Sequence, residues 1–238
     1  YWHDRDLLQL ALADFEANGG AGGSDITIRD VSADLATLLV TGPRAPALLG
    51  DVTGMAMGHS DFAWLSFQKL TIAGVVVTAI RVSFAGEAGW ELHCAMENVV
   101  TVYDALIEKG AAHNLGHFGM LSLDSMRLEK GYRSWKSDLT SDYSILESGL
   151  GRWVDFGKEE FVGRNSLQAE LQTGPRRDFV TLTIDDPDDG APFGEAVYLS
   201  TVLIDGAAAG LVVSAGYGHR VGKSIVMAVL DKAALAKG

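Results

Sequence analysis

The chain has 238 residues, 47% of them hydrophobic, and a formal charge of −12 at neutral pH, with a mean hydropathy of +0.14 and a pI near 4.8. A chain this long and apolar can bury a sizeable core as one or two domains, which excludes disorder, and its acidity repels phosphate backbones, which excludes nucleic acid as a partner. Its single cysteine, Cys94, forms no internal disulfide and favours a reducing compartment, and no apolar run of about eighteen residues, no glycosylation acceptor and no signal peptide is present, so the chain reads as soluble.

Asp4 to Ala17 carries Leu7, Leu8, Leu10, Ala11 and Phe15 at helical spacing, and Asn18, Gly19 and Gly20 supply its C-terminal stop. A glycine-rich loop, 19–23, leads to Ile26 and Ile28, which alternate with Thr27 and Arg29 as a half-buried strand. Leu35 to Val40 is a further strand, and Gly42 and Pro43 turn the chain into a short helix, Ala45 to Gly50. Gln68 to Ser83 is rich in Val, Ile and Thr and broken by Ala73 and Gly74, which predicts a hairpin. A tight turn over Gly86 to Gly89 then opens the strand Trp90 to Cys94. Period-two alternation puts Trp90, Leu92 and Cys94 on one face and Glu91 and His93 on the other, toward water or a ligand.

Asn98 to Lys109 is an amphipathic helix with Val99, Val102, Tyr103 and Leu106 on one stripe, and Met120 to Lys130 is another, closed by Gly131. Strands followed by helices in this order predict a two-layer α+β body. Gln172 to Arg177 reads as a linker. Beyond it, Phe179 to Ile184, Ala196 to Ile204, Ala209 to Ser214 and Ser224 to Leu230 are strands at turn-punctuated intervals, which predict a small barrel or sandwich. Asp185 to Gly190 is an acidic loop, solvated or cation-binding. Gly216 to Ser224 (GYGHRVGKS) fails the phosphate-loop spacing because Tyr217 stands where that loop needs glycine, so it reads as a hairpin connection. Gly86 and Gly89 lack the third glycine and the following helix of a dinucleotide fingerprint.

The most distinctive stretch is Arg81 to His93 (RVSFAGEAGWELH), which sets two glycines and two carboxylates in and beside one turn. It is followed by Gly119 to Trp135 (GMLSLDSMRLEKGYRSW), Asp138 to Thr140 (DLT), Glu147 to Leu150 (ESGL) and Phe161 to Arg164 (FVGR). In this order the motifs resemble the folate-binding domain of the aminomethyltransferase family. Its members are the glycine-cleavage T-protein and the C-terminal halves of dimethylglycine and sarcosine dehydrogenases. The form RLEKGYRSW looks more like the flavin-linked dehydrogenases, and the resemblance runs from about Asp25 to the C-terminus.

The resemblance implies an α+β fold: a folate-binding body of mixed sheets with packed helices over 1–172, then a small C-terminal β-barrel over 177–238. It also implies family residues before Tyr1, among them a catalytic Asp, and further strands after Gly238. The expected ligand is tetrahydrofolate and the expected substrate a small N-methyl amine, with FAD held by an upstream flavin domain on residues outside this chain. The compartment so implied is the cytoplasm or a mitochondrial matrix. The expected function is the one-carbon-accepting portion of an N-methyl amine dehydrogenase; a stand-alone aminomethyltransferase or demethylase and a non-catalytic folate-binding module are the alternatives.

A reduced pterin presents a ring N–H beside an exocyclic amino group, and a carboxylate can accept from both. The resemblance gives Glu91 that role, against the alternative of a solvent-facing strand glutamate. Phe84 stands where family members often carry a tyrosine near the pterin; it keeps the stacking surface and lacks the hydroxyl, and a core position suits it equally. Tyr132 and Trp135 read as pocket walls or as a buried aromatic pair. Trp90 reads as packing and Glu87 as an exposed turn residue. Arg127 and Glu129, two apart on a helix, face different ways, one supporting the pocket and one pairing at the surface. Leu123 replaces an arginine of the T-protein pattern. No catalytic residue is assigned, and His113 and His117 lack the further ligands of a zinc site.

Overall fold

In the computed structural model, which describes residues 2–18, 26–185 and 196–236, the strands assemble into two four-stranded sheets. Helices α1 (Trp2–Ala17) and α2 (Ala45–Thr53) flank β1 (Leu35–Thr41); then follow β2 (Phe67–Ile72), β3 (Val75–Ile80), β4 (Gly89–Ala95) and α3 (Val99–Gly110). The second half contains α4 (Met120–Glu129), α5 (Arg164–Thr173), β5 (Arg177–Ile184), β6 (Thr201–Ile204), β7 (Ala207–Gly218), β8 (Lys223–Asp231) and α6 (Lys232–Leu235). This is the α+β class read from the sequence. Ile26 to Arg29, expected as a strand, carries no regular structure. Among the described residues no strand pairs with it, and pairing rather than pattern makes a strand. The 19–23 loop and most of the 185–190 acidic loop lie outside the described residues.

The chain divides into two compact units, residues 1–40, 44–81 and 90–114 in one and 41–43, 82–89 and 115–238 in the other. In the first unit the sheet runs in the order β1-β4-β3-β2. The β2–β3 hairpin turns at Ala73 and Gly74, both at positive φ, and pairs from Phe67 with Ile80 to Ile72 with Val75. One face of the sheet is closed: Leu70, Ile72, Val77, Ala79, Trp90, Leu92 and Cys94 are all buried, with Phe62 edge-on to Trp90. Helix α2 starts with a proline in its first turn and ends at Gly54 (φ 70°), whose N–H reaches the Gly50 carbonyl. It packs on α3; α2 buries Leu48 and Leu49, and α3 buries Val102 and Leu106. On α1, by contrast, Leu7, Leu8, Leu10 and Phe15 are exposed. The helix forms as its spacing predicts, but the apolar residues behind that prediction remain in solvent.

In the second unit the sheet order is β5-β8-β7-β6. Strand β8 is buried on both faces, which explains its unbroken apolar run. Ile225, Met227 and Val229 pack with Leu128 of α4 and with Val213, joined by Tyr143 and Phe179. Val226, Ala228 and Leu230 form a separate core with Val212. That core is shared by Val180 and Ile184 of β5 and by Val202 of β6. The two outer strands, β5 and β6, thus both border this core through the inner strands β8 and β7. The loop expected over Gly216 to Ser224 is the tight β7–β8 hairpin, with Gly218 opposite Lys223. Three residues, Gly174, Pro175 and Arg176, separate α5 from β5 within the segment read as a linker.

Candidate functional site

The turn between β3 and β4 is shaped by its glycines. Gly86 has φ 73°, and a Cβ there would lie 2.0 Å from Cγ of Lys130, so this position both needs the left-handed conformation and passes under a side chain. A Cβ at Gly89 would lie 2.9 Å from Cβ of Ser83 and 3.0 Å from Oγ1 of Thr41. Backbone bonds tie the turn down: Gly42 N–H donates to the Ala88 carbonyl at 2.8 Å, and Ala85 N–H to Ser83 Oγ at 3.2 Å. Glu87, expected as an exposed turn residue, is part-buried and paired with Arg220 at 2.8 Å.

In the first unit, β4 carries Glu91 and His93 on the half-open face, as alternation requires, while Trp90 is fully buried packing. His93 Nε2 lies 3.2 Å from Glu91 Oε2, and His93 Nδ1 lies 2.9 Å from Thr37 Oγ1 on β1. The Glu91 side chain is 42% exposed and that of His93 28%. A carboxylate only accepts, so a neutral His93 carries its proton on Nε2 and accepts a hydrogen bond from the Thr37 hydroxyl on Nδ1. Each carboxylate oxygen offers two lone pairs, and His93 uses one of the four. Glu91 therefore keeps acceptor capacity for a ligand that offers paired donors.

In the second unit, Phe84 stacks on Tyr132 with centroids 6.2 Å apart and planes 16° off parallel, and Phe84 remains 38% exposed. Trp135 does not join them in a buried pair: it is 71% exposed, and its backbone forms an isolated bridge with Leu139. The i,i+2 pair on α4 splits as expected in direction. Arg127 is 2% exposed and donates to Asp138 Oδ2 at 2.5 Å, to Ser214 Oγ at 2.9 Å and to Asp124 Oδ1 at 2.7 Å. Asp138, fully buried, also accepts from Ser214 Oγ at 2.5 Å and from Ser134 N–H at 2.6 Å. Glu129 accepts from the backbone N–H of Arg220 (2.6 Å) and Val221 (3.3 Å), closing the β7–β8 turn. A cleft of about 410 Å³ lies beside it, lined by Glu87, Ser125, Met126, Glu129, Lys130 and Arg220 among others. Its two carboxylates, Glu87 and Glu129, hold the Arg220 side chain and the β7–β8 turn.

The motif residues farther along are mainly architectural. Gly149 has φ 68°, and a Cβ there would lie 2.6 Å from a guanidinium nitrogen of Arg133, whose cation sits 4.3 Å from the Phe179 ring centroid. Arg164 of the FVGR motif donates to the Lys158 carbonyl and to Gln168. His113 Nε2 is hydrogen-bonded to Asp51 Oδ2 at 2.7 Å. Among the described residues no three His, Cys, Asp or Glu side chains gather as metal ligands, and no helix is long and apolar enough to cross a membrane. Sequence reading missed the Thr37 contact, since nothing local announces which strand lies beside β4. It quoted Asp138 as a motif residue without foreseeing its burial beside Arg127.

Comparison with known proteins agrees with this architecture. The model of the GCVT N-terminal domain matches residues 3–158, and that of the glycine cleavage T-protein C-terminal barrel domain matches residues 177–238. The chain belongs to the glycine cleavage T-protein (aminomethyltransferase) family. It is 32% identical over 208 residues to the mitochondrial dimethylglycine dehydrogenase of Homo sapiens, covering 87% of this chain and 23% of that protein. It is 36% identical over 199 residues to the mitochondrial sarcosine dehydrogenase of Mus musculus, covering 83% and 21%. An aminomethyltransferase of Caldanaerobacter subterraneus is 30% identical over 185 residues, covering 76% of this chain and 49% of its own length. The chain thus spans under a quarter of these two dehydrogenases and about half of the aminomethyltransferase. The crystal structure of glycine cleavage system aminomethyltransferase T from Bartonella henselae shares the fold, with a TM-score of 0.69 at 24% identity over 84% of this chain and 52% of that one.

Proposed function

We propose that this chain is the tetrahydrofolate-binding, one-carbon-accepting portion of a dimethylglycine- or sarcosine-dehydrogenase-like flavoenzyme. The observation that carries the reading is Glu91: an acceptor-only group oriented by His93, half open, with lone pairs left for the N–H and amino donors of a reduced pterin. Phe84, Tyr132 and Trp135, the other residues read from the sequence for the folate, lie in the second unit, where Phe84 stacks on Tyr132 and Trp135 is exposed. Phe84 brings no hydroxyl, so it contributes by contact alone. The chain's share of catalysis is to hold N5 and N10 of the folate beside a carbon released from a small N-methyl amine, an effect of proximity and orientation. Oxidation of that amine belongs to FAD on a domain outside these residues, in a mitochondrial matrix or the cytoplasm. Similarity to aminomethyltransferases that lie at 30% identity favours, as the second reading, a stand-alone folate-dependent transferase.

Titrating tetrahydrofolate calorimetrically into the intact protein and its Glu91→Gln variant tests the site. Because Glu91 is 42% exposed, its loss is worth less than a fully buried pair. A hydrogen bond to a charged group contributes about 1.5–3 kcal/mol, so Kd should rise about ten- to hundredfold. Equal affinity in the two proteins, with the variant folded by circular dichroism, removes Glu91 from the site.

A further inference from the structure

We infer that Thr37, His93 and Glu91 form a hydrogen-bonded relay across two strands, and that His93 is the positioning residue for the ligand-facing carboxylate. The inference rests on the folate reading for its ligand, and on the geometry of the first unit for the relay itself. Glu91 and His93 are two apart on β4 and so share a face, and the imidazole spans from one to Thr37 on the neighbouring strand. A glutamate on a half-open sheet face has three side-chain torsions and would otherwise sample several rotamers. The Nε2–H bond to Oε2 selects among them, the acceptor-only carboxylate fixes the tautomer, and the Thr37 hydroxyl, which can donate or accept, completes the relay by donating to Nδ1.

The surroundings leave this relay without a rival partner on the adjoining strand. Opposite His93 on β3 stands Thr78, and opposite Glu91 stands Ile80, so neither cross-strand neighbour is charged. The next strand, β2, brings Lys69 opposite Thr78 and Phe67 opposite Ile80. Lys69 is therefore two strand spacings from His93, about 10 Å. With Ile80 and the 68%-exposed Phe67 in its row, Glu91 ends a strip that is apolar up to its carboxylate. Such a strip suits a flat heteroaromatic ligand with hydrogen-bond donors at one end, and a ligand whose polar edge offers acceptors instead would meet an anion that cannot donate. The relay thus deepens the folate proposal into a selectivity device: it keeps an acceptor-only group aimed at the donor edge of the ring.

The test pairs a ligand-independent measurement with a binding one. In the intact protein, long-range nitrogen–proton NMR correlation of His93 should show the Nε2-protonated tautomer, and Glu91→Gln should mix the tautomers. An Nδ1-protonated ring, or one indifferent to that substitution, overturns the relay. For binding, His93→Leu should weaken tetrahydrofolate about fivefold to tenfold, the range of one hydrogen bond, and His93→Gln, which restores an N–H donor, should recover most of it. Combining His93→Leu with Glu91→Gln should add little to Glu91→Gln alone. A wild type that binds while His93→Leu binds equally well overturns the positioning role and leaves the folate reading standing. A wild type that binds no tetrahydrofolate overturns the folate reading and the ligand-directed role together.

Discussion

Replacing Asp138 by asparagine should destabilise the second unit severely, because the carboxylate is fully buried and serves three donors at once. It takes Arg127 Nη1 at 2.5 Å, Ser214 Oγ at 2.5 Å and Ser134 N–H at 2.6 Å. Asparagine keeps one oxygen and presents an amide NH2 to a site whose other members are mainly donors. Arg127, only 2% exposed, would be left with one carboxylate, that of the half-exposed Asp124, and with the neutral Ser214 hydroxyl and Tyr132 carbonyl. Removing one member of a buried ion pair generally costs about 3–5 kcal/mol. For a chain of this size each kcal/mol lowers Tm by about 2–4 °C, so Asp138→Asn should melt roughly 6–20 °C below wild type. Urea titration followed by near-ultraviolet circular dichroism measures the change directly, provided the slope with denaturant is unchanged. A companion variant, Arg127→Met with Asp138→Leu, should recover much of the loss, since two apolar groups of similar volume leave no orphan charge. If Asp138→Asn lies within about 1 kcal/mol of wild type, or the double variant is worse than the single, the network is not what holds α4 on β7 and β8.

Gly86→Ala should cost about 1–2 kcal/mol, combining a left-handed backbone with a clash against Lys130; adding Lys130→Ala should relieve only the steric part, as a denaturation cycle would resolve. Glu129→Ala should speed amide exchange at Arg220 and Val221 and lower stability by about 1–3 kcal/mol, since it removes a charged acceptor from two N–H groups; unchanged exchange there would mean that the turn closes without it. Burial pushes the Cys94 thiol above its usual value of 9.0, so the neutral form favours the fold. That contribution is constant at lower pH and is lost as pH rises through about 9 toward the folded value, because the unfolded chain ionises first. Alkylation of native protein at pH 8 should accordingly follow global unfolding, and rapid labelling without unfolding would contradict the burial of Cys94.

Local chemistry determined much of this protein by itself. Alternation along β4 decides that Glu91 and His93 share the face opposite Trp90, Leu92 and Cys94, and the structure agrees residue for residue. Glycine at 86 and at 74 marks a turn because the left-handed conformation is costly for other residues, a property of the residue and not of its surroundings. The apolar run of β8 could say that the strand is buried, but not that its two faces would meet different partners. Only the tertiary structure decided the rest. Thr37 reaches His93 across 56 residues because β1 lies beside β4, and strand order is not written in either segment. Ser214 reaches Arg127 because the register of β7 on β8 shifts between Val212 and Ser214, a bulge that turns Val213 and Ser214 together toward α4. Asp138, legible in the sequence as a motif residue, becomes fully buried because Arg127, Ser134 and Ser214 converge on it. Patterns of period two or 3.6 report what a segment does to its own side chains, whereas burial and pairing depend on which distant segment arrives against them.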